Sequence, residues 1–248
     1  MPRHDALNSS PPSPVARWLV VVIFAVAMAW LEAAVVLYLR TLVGRLDPYQ
    51  ATPLPVSTGL GPAELLREAA TLIMLAAVGW LAGHHWRSRL GYSLIAFGVW
   101  DIFYYVFLRP LTGWPKSLAD WDVLFLIPLP WWGPVWAPVS IAVLMLAWGT
   151  LVTLGNPPEG TWRFDWRAYG LNVLGIALAL YVFMADAIRV APQGSAALRE
   201  LLPTQFNGWL FGCAWLLMAA PVIHLLRQFA RRRLGGAVVT ETTGRQAA

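Results

Sequence analysis

The chain has 248 residues, of which 58% are hydrophobic and 12% charged. A soluble domain carries roughly 25% charged residues, so a water-soluble globular protein is excluded and one compact membrane domain is expected. The formal charge of +5 does not point to nucleic acid, because arginines beside apolar spans orient membrane proteins and a nucleic-acid footprint needs a larger basic face.

Residues 1–15 are rich in Ser and Pro and read as a disordered amino terminus. The first apolar stretch, 16–40, has Arg17 at its start and contains Ala27-Met28-Ala29, which resembles a signal cleavage site. The apolar run continues to Leu39, far past a signal core, so a retained helix is expected. It carries Glu32 in its outer half. Residues 47–62 hold too many Pro and Gly to be helical. The second helix is expected over 62–86, with Glu64 and Glu68 in its first turns and His84 and His85 at its end.

The third helix is expected over 90–109. Asp101, Tyr105 and Arg109 recur at four-residue steps and so lie toward one face. Lys116, the single lysine, follows this helix, so no intramembrane lysine is available for a retinal-type Schiff base. Residues 120–135, DWDVLFLIPLPWWGPV, are apolar but short, and Pro128, Pro130 and Pro134 rule out a continuous helix. They read as a re-entrant or interfacial segment, with Asp122 as a gate and Trp131 and Trp132 as anchors.

Helices at 134–155, 168–189 and 207–229 complete the set, joined by GNPPEG over 155–160 and by residues 191–203. The fifth carries Asp186 close to Arg189. The last holds the lone Cys213, which reads as packing, and His224. It ends in RQFARRR over 227–233, which reads as a contact for anionic lipid heads. Residues 234–248 read as a disordered tail. The fold class is therefore all-α: a polytopic six-helix transmembrane bundle over 16–233, with a Pro-rich segment before the fourth helix. Arginines, including the run at 231–233, are more numerous on the side of the termini. The positive-inside rule then puts both termini in the cytoplasm of a cell-membrane protein.

The acids carry the functional reading. A carboxylate at the bilayer centre costs roughly 2.5–3.5 kcal/mol on the gentlest scale, so it survives where it faces protein, a partner or water. Glu32, Glu68 and Asp101 are expected at similar depth in the outer half and are read as the central catalytic carboxylates. Tyr105 is a hydrogen-bond donor and Arg109 a counter-charge. Glu64, Asp122, Trp131 and Asp186 are read as substrate-binding. Three carboxylates suit a hard divalent cation, so Glu32, Glu68 and Asp101 are also the candidate metal ligands. Haem between His84 or His85 and His224 is disfavoured, because adjacent histidines point to different faces.

Three functions compete. The first is a site for a lipid-like or small hydrophobic substrate entering sideways from the outer leaflet. The second is an accessory subunit whose partners are other membrane subunits. The third is a proton- or cation-coupled transporter, which needs polar steps continuing to the inner surface. Membrane lipid is the expected partner and nucleic acid is not.

Overall fold

The computed structural model describes residues 12–44, 48–49, 60–155, 165–199 and 201–231. Both expected disordered ends lie outside them, apart from residues 12–15, as do most of the connections over 47–62 and 155–160 and the arginines beyond residue 231. Six helices are long and apolar enough to cross a membrane. The chain is a membrane-embedded helical bundle.

Helix α1 covers Pro14–Leu42, two residues earlier than expected. Ser13 caps it by accepting from the Ala16 N–H, and Pro14 occupies the first turn, where its missing N–H costs nothing. Helix α2, Leu60–Ala82, stops short of the histidines expected at its end. The chain turns at residues 83–85, and His85 becomes the N-cap of α3, Trp86–Thr112. Its Nδ1 accepts from the Ser88 N–H, while the Ser88 hydroxyl receives the His85 N–H. This reciprocal capping satisfies donors at the start of α3 and explains why α3 begins four residues before the expected position. Gly113, at φ +73°, ends the helix in the left-handed region open to glycine.

Residues 120–135 are neither helical nor irregular. They form an antiparallel hairpin of β1, Trp121–Phe125, and β2, Trp131–Pro134. Trp121 faces Pro134, Asp122 faces Gly133 and Val123 faces Trp132, with a bulge before Phe125 pairs with Trp131. Aromatic and branched residues suit a strand, Pro128 and Pro130 fall in the turn, and Pro134 ends the second strand, where no ladder N–H is lost. The connection from α3 is fixed by Asp120, whose carboxylate accepts from the Lys116 N–H at 2.7 Å and the Ser117 hydroxyl at 2.8 Å. Burial nudges the Asp120 carboxyl upward, but these bonds outweigh it and hold the group below the usual carboxylate range.

Helix α4, Trp136–Leu154, follows at once, then α5, Trp166–Val190, the short α6, Ser195–Arg199, and α7, Gly208–Met218. After an interruption at Ala219, beside Pro221, the helix resumes and reaches Arg231. Helix α3 is central, packed against α1, α2 and α4, while α5 pairs with α7. Small residues permit these approaches. A Cβ on Gly149 would stand 2.5 Å from the Gly91 carbonyl oxygen, and one on Gly175 2.7 Å from that of Ala214. The α3–α4 and α5–α7 pairs leave a gap between them, and the hairpin closes it at one end: its Phe125 stacks on Phe97 of α3 and its Trp131 on Phe183 of α5. Phe97 is eleven residues along α3 from Trp86, so the hairpin tip reaches the level of that helix's middle.

Candidate functional site

The gap is a cavity of about 1070 Å³, at the top of the roughly 300–1,000 Å³ range of small-molecule sites. Its wall on α3 is Leu90, Leu94, Phe97, Asp101 and Tyr104. These steps of four and three residues are one helical face. Tyr169, Asn172, Ile176 and Phe183 give the matching face of α5. From Leu90 to Tyr105 the cavity runs about 22 Å at 1.5 Å per residue.

Its two ends differ. At the hairpin end Glu32, Glu64, Glu68, Asp101, Tyr105, Asp122 and Trp131 line the wall together, seven of the nine residues the sequence put forward. At the other end the wall is Leu90, Leu94, Leu144, Met145 and Val222, and the Asn172 amide there is occupied, donating to the Met218 carbonyl at 2.9 Å. Tyr169 and the Trp148 indole supply the remaining polar groups of this end.

Most of the acids are engaged. Glu32, 8% exposed, forms an ion pair with Arg67 and accepts from the Thr71 hydroxyl at 3.2 Å. Arg67 also binds Glu64 through Nε at 3.0 Å and Nη2 at 2.9 Å. Glu68 accepts the Leu126 N–H at 3.0 Å, tying the hairpin tip to α2. Asp122, 2% exposed, accepts from Arg40 Nη2 at 3.4 Å and from the Tyr105 hydroxyl at 3.2 Å. Arg40 in turn lies over the Trp114 ring, 4.4 Å from its centroid.

Asp101 differs from all of these. It is 7% exposed and lines the cavity, yet among the described residues its Oδ2 has no hydrogen-bond partner and its carboxylate no cation. The indole N–H groups of Trp100 and Trp131, also in the wall, are likewise buried without an acceptor. A third indole N–H in the wall, that of Trp148 toward the other end, is also buried without an acceptor. Buried polar groups are nearly always paired, so the three gathered at the hairpin end, Asp101, Trp100 and Trp131, need an explanation. Around them runs a continuous series of rings: Trp131 to Phe125 at 5.1 Å, Phe125 to Phe97 at 6.3 Å, Phe97 to Trp100 at 5.4 Å and Trp100 to Tyr104 at 6.3 Å.

Two expected site residues lie elsewhere. Arg109 does not face the carboxylates: its Nη1 donates to the carbonyls of Pro115 and Lys116, holding the loop that follows α3. Eight residues rotate a helix by two turns and about 80° more, so Asp101 and Arg109 share a face only loosely. Asp186 pairs with Arg189 and accepts from the Thr204 N–H at 2.8 Å and its hydroxyl at 2.9 Å. It staples the α5–α7 connection. The carboxylates of Glu32, Glu68 and Asp101 share the cavity but do not gather as a metal site: among the described residues no three His, Cys, Asp or Glu side chains could hold one ion. Thr71 and Arg67 occupy Glu32, and the hairpin backbone occupies Glu68. The histidines are separated too, with His84 against Arg17, His85 capping α3, and His224 3.5 Å from Asp165.

The residues missed from the sequence are Trp100 and Tyr104; Arg40 and Arg67 were legible as arginines at the depth of the acids, but their partners were not. Arg67 was signalled by its position, three residues after Glu64 and beside Glu68 on the face that continues to Thr71. Set against protein-family models, curated proteins and solved structures, the chain matches none.

Proposed function

We propose that the protein holds a lipid-like molecule in this cavity, its apolar body along α3 and α5 and its polar head at Asp101 beneath the hairpin. The observation that carries this is the unpaired Asp101 carboxylate in the wall of a long cavity whose polar residues gather at the hairpin end and whose other end is mostly apolar. Leaving such a group without a partner costs several kcal/mol in a membrane interior, and a ligand head removes that cost. With both termini cytoplasmic by the arginine distribution, the hairpin is re-entrant from the outer face, and the ligand enters from the outer leaflet. If the protein performs chemistry, Asp101 is its acid–base group, the other carboxylates being occupied by Arg67, Arg40 or backbone.

The test is native mass spectrometry of the protein extracted in mild, uncharged detergent. A stoichiometric amphiphile bound to the wild type, and lost when Ala142→Trp fills the cavity wall, supports the proposal. A protein bare of any lipid under conditions that retain its fold refutes it.

A further inference from the structure

We infer that the head group this cavity selects is a cationic amine on a long apolar chain, not an anionic phosphate or carboxylate. The inference rests on the lipid-like reading above and adds the chemistry of the head. Among the described residues lining the cavity, the acids are Glu32, Glu64, Glu68, Asp101 and Asp122, and the cations are Arg40 and Arg67 alone. Both arginines are already spent on carboxylates, Arg67 on Glu32 and Glu64 and Arg40 on Asp122. Among the described lining residues the acids thus outnumber the arginines five to two, and the one acid without a partner is Asp101. An anionic head would add like charge in a low-dielectric setting, which repels. An ammonium supplies both the missing donor and the missing charge.

The walls suit the same head. Phe97, Trp100, Tyr104, Phe125 and Trp131 form the ring series that surrounds the polar end. Ring faces carry negative potential and attract ammonium groups, best of all tryptophan. The unpaired indole N–H groups of Trp100 and Trp131, at this end, are donors and need an acceptor. A hydroxyl or ester oxygen near the amine meets that need, which makes a long-chain amino alcohol a better fit than a bare amine.

The experiment is a competition read by native mass spectrometry in an uncharged detergent. Equimolar tetradecylamine, tetradecanol and tetradecyl phosphate are offered to the wild-type protein stripped of endogenous lipid. Because charge-assisted hydrogen bonds are about twice as strong as neutral ones, retention of the amine at about tenfold or more over the alcohol is expected, with the phosphate weaker still. Asp101→Asn should bring amine and alcohol to parity, and Trp131→Phe should leave the amine preference in place. Equal retention of all three probes, or preference for the phosphate, overturns the inference while leaving the lipid-like reading standing. Retention of none overturns both. Should Asp101→Asn fail to fold, the wild-type ranking alone decides.

Discussion

Replacing Arg67 by Met tests the electrostatic frame of the site. Methionine keeps an apolar stem of comparable length and removes the guanidinium, leaving Glu32 and Glu64 without their cation. Glu32 has 9% of its side chain exposed and Glu64 22%, so neither is rescued well by water. Breaking a buried pair by removing one partner costs roughly 3–5 kcal/mol. Arg67 itself keeps 27% exposure, which puts the expected loss near the lower end, about 3 kcal/mol. Adding Glu32→Gln removes one of the stranded charges and should return about half of that loss, a coupling of about 1–2 kcal/mol in a double-mutant cycle. The assay is reversible unfolding in mixed micelles, followed by tryptophan fluorescence. A loss under about 0.5 kcal/mol for Arg67→Met, within the range of ordinary surface changes, would refute the reasoning, as would additivity of the two substitutions.

Three further outcomes are expected. Tyr105→Phe deletes the hydroxyl bonded to Asp122 and should cost about 1.5–3 kcal/mol, the range for hydrogen bonds to charged groups, in the same unfolding assay. Gly149→Leu drives a side chain into the Gly91 backbone and should destabilise the bundle by about 1–3 kcal/mol or more, whereas Gly170→Ala, whose added methyl meets nothing within 4 Å, should be neutral or gain up to about 1 kcal/mol from helix propensity. Arg109→Gln should weaken the loop after α3 yet leave amphiphile retention within about twofold, since that guanidinium binds Pro115 and Lys116 carbonyls and not the cavity.

The six spans were legible because each is a long apolar run bounded by Pro, Gly or charge, and a membrane leaves the backbone no alternative to helix there. The hairpin was not. Proline density correctly denied a helix over 120–135, but short apolar runs do not distinguish strand from irregular chain. The gathering of Glu32, Glu68 and Asp101 followed from their depth along α1, α2 and α3 and from the order of the helices. Their partners did not follow, because partnership depends on rotation as well as depth. Arg40 is eight residues from Glu32, about 80° off its face, and turns to Asp122 across the hairpin. Arg67 crosses from α2 to Glu32 on α1, a choice fixed by how two helices pack and invisible in either one alone. The end of α2 was misplaced for a local reason: the capping exchange between His85 and Ser88 starts a new helix where hydropathy continues without a break.

Occupancy of the cavity is the central claim, and a high-resolution electron cryomicroscopy map of the protein in lipid nanodiscs measures it directly. The account predicts continuous elongated density along the α3 face from Tyr104 to Leu90, with its thick end within hydrogen-bond reach of Asp101. A cavity collapsed by inward movement of α5, or filled only with separate water peaks while Asp101 pairs with a protein group, would contradict it.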